Sequence, residues 1–462
     1  MILAAVTLAA ALTSQAPIDR GLFLYYAYAR SAAVAAFAEA AARSPASPMA
    51  YWGAALAYGP DLNTPMTAEN FARGKAAIGH ARALEGTATP AEHSYIDAMS
   101  LRYRGNWSDW ERDNSAYRDA MVALASSAPA DPNAQLLAAE ALLEQGDRSA
   151  RTLALINGVL TRDPNNAMAN HLCIHAYDNF SDHAPALLCA QHLDAMQLPP
   201  EAEHLAHMPA HFWIETGAYA KALASSERAY QMLLQLDANQ HSDLSQQRYA
   251  SHDISVGYSA AMMLGNYATA LRWANRMDGL FDGKFDALTA LRFGRYSDAA
   301  AAGSNELFAP WVAGLAAIHL NRLTEAKTAA ATIRGQYGTP TRGYIPQLFL
   351  ARLAEAEGSE RDARSWLEQA QQNQRADFYA ETIPFVPADE ALGGYLLRTQ
   401  HYAQAASAFQ TCLAAYPNDP RALFGLSQAF AAQGKTAEAA QARTRFDAAW
   451  AGADTTLSIG DL

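Results

Sequence analysis

The segment Gly265-Asn-Tyr267-Ala-Thr-Ala270 indicates the fold of the protein, because its pattern recurs along the chain. A glycine is followed by one residue, an aromatic residue, two further residues and an alanine. The same pattern occurs as Gly217-Ala-Tyr219-Ala-Lys-Ala222 and as Gly294-Arg-Tyr296-Ser-Asp-Ala299, and Tyr402 and Ala405 keep part of it. Glycine ends a helix readily because it adopts left-handed dihedral angles. A small alanine lets two helices approach closely, so the pattern predicts antiparallel helix pairs.

Helix pairs of this kind are typical of tetratricopeptide-like repeats, which stack into solenoids. Strand signals are nearly absent, whereas helical periodicity recurs throughout the sequence. The spacing of the anchor alanines varies, from 29 residues between Ala270 and Ala299 to 48 residues between Ala222 and Ala270. The sequence therefore predicts an all-α, irregular tetratricopeptide-like α-solenoid of antiparallel helix pairs in a right-handed superhelix. We expect it to be continuous over residues 17–462.

The overall composition is that of a globular protein with an acidic balance. Of the 462 residues, 51% are hydrophobic and 17% are charged, and 34 basic against 46 acidic residues give a formal net charge of −12. The sequence offers no basic stripe to neutralise phosphates, so neither nucleic acid nor an anionic membrane surface is expected as a partner. Beyond the N-terminus, no stretch reaches the roughly 18 unbroken apolar residues that a membrane-spanning helix needs, and no stable span is expected.

The N-terminal residues are interpreted as a secretory signal. An apolar run from Met1 to Thr13 is followed by the small-residue segment Ser14-Gln15-Ala16, which is typical of a cleavage site. We therefore expect residues 1–16 to be a signal peptide and the protein to be periplasmic or secreted. Because a basic segment is missing before the apolar run, an alanine-rich first helix is the alternative.

The chain has three cysteines, Cys173, Cys189 and Cys412. An odd and sparse count excludes a disulfide framework, although one bridge remains open in an oxidising compartment. Cys173 lies between two histidines, so a thiolate metal ligand is conceivable there. A buried free cysteine is the favoured interpretation, because such cysteines are common in helical cores.

Histidine is concentrated in one part of the chain, where seven of the 13 fall between His171 and His211. His171 and His175 are spaced i, i+4, and His204 and His207 are spaced i, i+3, so each pair presents two imidazoles on one helix face. Neutral imidazole is a good ligand for Cu, Zn and Fe. We expect these helices to line a groove formed by about residues 165–260.

The predicted metal ligands are His171, His175, His204, His207, His211 and His252. Predicted to orient these ligands or to contact a substrate are Asp178, Asp253 and Glu390. The remaining histidines are interpreted as packed or surface residues: His80, His93, His183, His192, His241, His319 and His401. Because Pro209 is tolerated best in the first turn of a helix, we place His204 and His207 on the segment before that helix, and His211 within it. No catalytic residue is assigned.

The histidine segments resemble those of bacterial tetratricopeptide-repeat proteins that are often exported and largely uncharacterised. Their hallmark is His-x-x-x-His-Ala-x-Glu followed by His-Leu-x-His-Met-Pro-Ser-His. Here these stand as His171-Leu-Cys-Ile-His175-Ala-Tyr-Asp178 and His204-Leu-Ala-His207-Met-Pro-Ala-His211. The resemblance implies the solenoid fold and a shared polar site, with no established reaction attached to it.

Three positions depart from the pattern of these relatives. Asp178 replaces glutamate, Ser255 replaces the second histidine of a later His-Asn-x-His segment, and Arg30 stands where relatives carry histidine. If these positions are ligands, the chain binds differently from its relatives or has lost an activity.

Three functions are consistent with the sequence. The leading hypothesis is an exported solenoid whose groove binds a transition metal, Cu, Zn or Fe, as a metal-binding protein or a metalloenzyme acting on a small substrate. The alternative is a peptide- or protein-binding scaffold without catalysis, which is the usual role of this repeat class. A weaker hypothesis is a metal-free hydrolase or lyase that uses a histidine pair. The expected partner in the concave groove is therefore a small molecule, a metal ion or a peptide.

Overall fold

The protein is helical over the part of the chain that the structure describes. The computed structural model describes residues 17–178, 183–240, 249–280, 284–301, 309–337, 344–376 and 386–462. Within these ranges, extended pairing is limited to one isolated bridge between Asp61 and Thr64. The predicted all-α class is therefore confirmed. The expected signal peptide, residues 1–16, lies outside the described residues.

Helices that follow one another along the chain pack as pairs, as the repeat pattern predicts. The first twelve are α1 (Pro17–Tyr26), α2 (Arg30–Arg43), α3 (Pro48–Ala57), α4 (Ala68–Ala83), α5 (Pro90–Arg102), α6 (Trp110–Ser127), α7 (Pro132–Leu143), α8 (Ala150–Arg162), α9 (Ala167–Tyr177), α10 (Leu187–Ala195), α11 (Glu203–His207) and α12 (Pro209–Glu215). They are followed by α13 (Tyr219–Gln240), α14 (Ala250–Met262), α15 (Tyr267–Asp278), α16 (Phe285–Arg292), α17 (Tyr296–Ala301), α18 (Ala309–His319), α19 (Leu323–Tyr337), α20 (Tyr344–Ala356), α21 (Glu360–Ala376), α22 (Ala388–Arg398), α23 (Tyr402–Ala415), α24 (Pro420–Ala432) and α25 (Thr436–Ala449).

The chain divides into two compact units. The first comprises Met1–Phe212 and Arg228–Ser242, and the second comprises Trp213–Glu227 and Asp243–Leu462. Two of the three divisions fall inside α12 and α13, and the third, between residues 242 and 243, lies outside the described residues. That the array is continuous over residues 17–462 stays a prediction. Among the described residues, no helix is both long and apolar enough to span a membrane.

The repeated glycine-aromatic pattern sets where the second helix of a pair begins. Tyr267 is the first residue of α15 and Tyr296 is the first residue of α17. The preceding Gly265 and Gly294 have φ angles of 66° and 70°, the left-handed conformation that ends a helix. The anchor Ala270 is fully buried, at 0% exposure. The roles predicted for glycine and alanine in this pattern are therefore confirmed.

Gly217 shows why no other residue fits its position in the pattern. Its φ is 71°, and a Cβ atom there would lie 1.8 Å from the carbonyl oxygen of Pro417, another residue of the second unit. The hydroxyl of Tyr219 donates a hydrogen bond of 2.9 Å to that same oxygen. Glycine and tyrosine together therefore fix this turn against the end of a later repeat.

The turn between α1 and α2 is held by Arg30 in the first unit. Arg30 Nε donates to a carboxylate oxygen of Asp61 at 2.6 Å, and the guanidinium also donates to the carbonyl oxygens of Gly59 and Pro60. The side chain is 6% exposed, so this ion pair is well shielded from water. Arg30 therefore fastens the loop after α3 to the start of α2. Histidine at this position could not make the same set of contacts, because it has too few donors.

The cysteines depart from the favoured interpretation. Cys173 on α9 and Cys189 on α10 form a disulfide, with their Cα atoms 6.3 Å apart. The expectation of a free buried Cys173 is therefore wrong, and a bonded sulfur is not a thiolate ligand. Cys412 is free and buried, and burial followed by the charge of Asp419 raises the pKa of its thiol well above the usual value. The bridge fastens α10 to the helix that carries His171 and His175.

We expect the double variant Cys173→Ala/Cys189→Ala to lower the free energy of unfolding by about 3 kcal/mol, because a bridge across a loop of this size restricts the unfolded chain. Urea denaturation of wild type and variant measures the difference. As a control, titration of unfolded, unreduced wild-type protein should find the single thiol of Cys412. Finding all three cysteines reactive without reductant would contradict the bridge.

Candidate functional site

Helix α9 carries the first two predicted ligands. Asn166 caps its start, because its side-chain oxygen accepts a hydrogen bond of 3.0 Å from the backbone N–H of Ala169. The helix is buried on almost every face, and Asp178 follows its last turn. His171 and His175 lie one turn apart, so they point into the same interior region.

Helices α11 and α12 carry the next three predicted ligands. Pro209 is the first residue of α12, as predicted, and His211 lies within that helix. His204 and His207 lie in α11, a short helix of their own, so the segment before Pro209 is not irregular. Met208 keeps helical dihedral angles (φ −49°, ψ −38°), although the residue before a proline usually leaves that region.

Five imidazoles of the first unit form a closed ring. Measured between ring centroids, His171 lies 4.9 Å from His175 and 5.2 Å from His204. His211 lies 6.4 Å from His175 and 4.7 Å from His207. A distance of 6.0 Å between His204 and His207 closes the ring. All five side chains are buried, at 3% exposure or less.

Three of these imidazoles have the geometry of a metal-ligand set. One ring nitrogen from each of His171, His175 and His204 lies within 4.8 Å of the other two. In a tetrahedral zinc site with bonds of about 2.1 Å, two ligand nitrogens are about 3.4 Å apart. Side-chain rotations that bring the three nitrogens to this separation would let them share one ion.

Hydrogen bonds at Nδ1 set the tautomers of two of these histidines. His171 Nδ1 lies 3.3 Å from the carbonyl oxygen of Tyr26, which can only accept, so Nδ1 carries the proton. His175 Nδ1 lies 2.9 Å from the carboxylate of Asp178, which also accepts. In the neutral form of each ring, Nε2 therefore presents a lone pair. Neither Nε2 has a hydrogen-bond partner among the described residues, although both are buried.

The pKa values are consistent with a neutral His171 and an ionised Asp178. Burial, followed by the charge of His175, holds the pKa of His171 well below its usual value. Burial opposes ionisation of Asp178, but the hydrogen bond and charge of His175 outweigh it and lower the pKa of that carboxyl. A neutral imidazole with its Nδ1–H held by a carboxylate is the form in which histidine binds metals. Asp178 therefore reaches His175, although it is shorter than the glutamate of the resembling proteins.

His207 and His211 form a pair next to this set. Their Nε2 atoms are 2.9 Å apart, a hydrogen-bond distance. Between two neutral imidazoles, one Nε2 must then be protonated and the other must accept. The same spacing would also allow both nitrogens to face one ion.

Tyr28 belongs to the site and was not predicted from the sequence. Its ring packs edge-on to His171 at 4.5 Å and stacks on His204 at 5.4 Å and on His175 at 6.4 Å, measured between centroids. Its φ is 57°, a strained angle for a tyrosine, and its side chain is 1% exposed. The aromatic run Tyr25-Tyr26-Ala-Tyr28 was the signal in the sequence. It predicts neither the φ angle of Tyr28 nor the packing of its ring on histidines far away in the sequence.

Glu203 is a second residue of the site that was missed. A carboxylate oxygen of Glu203 lies within 4.8 Å of a ring nitrogen of His204. Burial raises the pKa of Glu203 to about 8, so it is largely protonated at neutral pH. Among the described residues, its Oε2 has no hydrogen-bond partner. A nearby cation would favour the ionised form and make Glu203 a further candidate ligand.

The other predicted site residues lie in the second unit. His252 and Asp253 are on α14, where Asp253 is 1% exposed, and their predicted roles stay predictions. Glu390 is on α22 and is fully buried, at 0% exposure, so it is not a solvated surface residue. Its Oε1 accepts from Arg421 at 2.9 Å, and its Oε2 lies 3.5 Å from a guanidinium nitrogen of Arg292.

Several other histidines show the surface character that we inferred. His80 and His401 are exposed, and His93 lies 3.0 Å from the carboxylate of Glu85. His241 lies outside the described residues.

Comparison with known proteins identifies no family. No protein-family model matches the chain, and neither does any curated protein. A structure of Naa15/Naa10 bound to HypK-THB is similar over 94% of this chain and 70% of that one, with 13% identity and a TM-score of 0.23. A human IFIT1 dimer with m7Gppp-AAAA is similar over 95% of this chain and 91% of that one, with 13% identity and a TM-score of 0.33. Similarities this low carry no argument about function.

We expect His171 and His175 to carry their proton on Nδ1 in metal-free protein. Long-range ¹H–¹⁵N correlation of chelator-treated protein labelled at histidine measures the tautomer directly. The exposed His80 serves as the control, since no described residue holds one of its ring nitrogens by a hydrogen bond. A protonated Nε2 on either buried histidine at neutral pH would contradict the arrangement.

Proposed function

We propose that the first unit binds a transition-metal ion through His171, His175 and His204. The observation that carries the proposal is the pair of buried Nε2 lone pairs on His171 and His175, each fixed by a hydrogen bond at the opposite ring nitrogen. An unpaired buried polar atom costs about 1–3 kcal/mol, so a partner for these nitrogens is strongly favoured. A metal ion satisfies several lone pairs at once.

Burial favours an ion over a peptide as the partner of this site. The five imidazoles are at most 3% exposed, so they do not form a polar strip that an extended peptide could contact. A peptide-binding scaffold needs its recognition residues at an accessible surface. A metal ion bound among the five histidines needs no such accessible surface.

The donor set favours zinc, copper or iron. The ligands are neutral imidazoles, with the Glu203 carboxyl nearby, and Cys173 is excluded because its sulfur is bonded to Cys189. Imidazole with carboxylate suits these three metals, whereas thiolate-rich sites select other chemistry. Three imidazoles leave a coordination position open, as in catalytic zinc sites, where a metal polarises a small substrate. The Tyr28 ring packs on all three of these imidazoles and would limit the space around a bound ion.

The disulfide also supports an exported protein. Disulfides persist in oxidising compartments such as the periplasm and are rare in the cytosol. Cys173 lies on α9 between the proposed ligands His171 and His175, so the bridge that indicates export also holds the helix of the proposed metal site. We therefore propose a periplasmic or secreted metal-binding protein whose site suits a small substrate.

One observation favours a second candidate function. A neutral His175 whose Nδ1–H is held by the Asp178 carboxylate is also the arrangement of a general base. In that case the site would act without metal on a small substrate. Activity that survives complete removal of metal by a chelator would favour this alternative.

We expect protein purified without a polyhistidine tag to contain about one transition-metal ion per chain. The variant His171→Ala/His204→Ala should lose most of that metal, because it removes two of the three proposed ligands. Inductively coupled plasma mass spectrometry measures the content, and circular dichroism checks that the variant is folded. The matched control is His80→Ala, which removes an exposed histidine. Equal metal in wild type and a folded double variant would refute the site.

We expect Asp178→Asn to weaken metal binding by about 10- to 100-fold while keeping the same ligands. The amide cannot accept as strongly from His175 Nδ1, so the tautomer and the orientation of the ring are less well fixed. Competition with a chelator of known affinity measures the change. Asp163→Asn, at the carboxylate that follows α8, is the control. An unchanged affinity in the Asp178 variant would show that this carboxylate does not orient a ligand.

A further inference from the structure

The second unit contains an open cavity that the proposed metal site does not use. Its lining includes the aliphatic side chains of Leu315, Leu348 and Leu367. Four arginines also line it, Arg292, Arg352, Arg398 and Arg421. Ligand sites commonly combine an apolar body with a few convergent polar groups.

Carboxylates neutralise these arginines only in part. Arg352 and Arg398 share one carboxylate, that of Glu355, with nitrogen–oxygen distances of 2.7 Å for each arginine. The cavity wall holds one other carboxylate, that of Asp461, which accepts a hydrogen bond of 2.6 Å from the hydroxyl of Tyr296. The four arginines therefore share Glu355, Asp461 and, behind the wall, Glu390. Arg398 also donates a hydrogen bond of 2.6 Å to the backbone oxygen of Leu462.

Behind the wall, Glu390 is shared by the other two arginines. It lies 2.9 Å from Arg421 and 3.5 Å from Arg292. Asp419 is also buried there, and burial followed by the charge of Glu390 raises the pKa of its carboxyl to about 7. The side chains of Arg292 and Arg421 are only 2% and 6% exposed, so these two arginines mainly hold the wall together.

Arg352 and Arg398 are the arginines that a ligand can reach. Their side chains are 20% and 16% exposed. Burial and then the charge of Arg398 lower the pKa of Arg352. His319 stacks on Tyr296 with centroids 3.9 Å apart, and burial and then Arg352 lower its pKa to about 4. At neutral pH this imidazole is uncharged and can donate a hydrogen bond.

We propose that this cavity binds a small organic acid, with its carboxylate at Arg352 and Arg398 and its apolar chain against Leu315, Leu348 and Leu367. Guanidinium groups bind carboxylates through paired, charge-assisted hydrogen bonds. Glu355 supplies one negative charge to two positively charged arginines, and the carboxylate of the ligand would supply a second. Its apolar part would bury the aliphatic side of the cavity. This proposal uses residues of the second unit alone and is independent of the metal site.

The test uses isothermal titration calorimetry on the full chain with three probes. Hexanoate has both the charge and the apolar chain, hexanamide has the chain alone, and acetate has the charge alone. We expect saturable binding of hexanoate and at least tenfold weaker binding of hexanamide and acetate. Equal binding of hexanoate and hexanamide, or no saturation by hexanoate up to ~10 mM, would overturn the proposal.

A variant then locates the binding. Arg352→Gln should weaken hexanoate binding at least tenfold, because it removes one of the two accessible guanidinium groups. Arg398 would still pair with Glu355, so the fold should be kept. Arg364→Gln is the matched control, since Arg364 is exposed and pairs only with Glu368 on α21 among the contacts described for it. Equal binding by wild type and the Arg352 variant would place hexanoate elsewhere, and the three-probe comparison tests the proposal even if this variant does not fold.

Discussion

The constraint on which the first unit depends is the burial of five imidazoles in one place. Burial penalises the charged form of an imidazole, and each of its ring nitrogens still needs a partner. His171 and His175 meet half of this need through Tyr26 and Asp178, which fix a proton on Nδ1. The Nε2 atoms of both rings remain without a hydrogen-bond partner among the described residues. Local hydrogen bonding therefore produces the lone pairs that a cation would bind.

The surroundings of the ring explain how helices that are far apart in sequence present these groups. Cys173 and Cys189 join α9 to α10, and Arg30 fastens the turn that carries Tyr28 to the loop after α3. The strained φ of Tyr28 is maintained because the clamp at Arg30 and the packing on His171 act on both sides of it. Such supporting contacts orient the histidine side chains that would bind a metal.

The sequence predicted the parts that depend on local chemistry. Gly265 predicts the end of one helix and Tyr267 predicts the start of the next, because a left-handed glycine and an aromatic residue at a turn are local features of the sequence. The spacing of His171 and His175 likewise fixed a shared helix face. Pairing of Cys173 with Cys189 and the approach of Tyr28 depend instead on how α1, α9 and α10 pack, which no short-range pattern encodes. Glu203 was missed for the same reason, since its raised pKa arises from burial.

In each unit, polar groups of one kind lie close together and are only partly paired, imidazole nitrogens in the first unit and guanidinium groups in the second. In the first unit, polar nitrogens are buried without charge, and the hydrogen bonds at Nδ1 leave an excess of lone pairs. In the second, Arg352 and Arg398 are held together by the single carboxylate of Glu355, which leaves an excess of positive charge. Complete local compensation would have given inert ion pairs, which are common at helix contacts. This incomplete compensation of like groups is the basis on which we propose a cation as the ligand of the first unit and an anion as the ligand of the second.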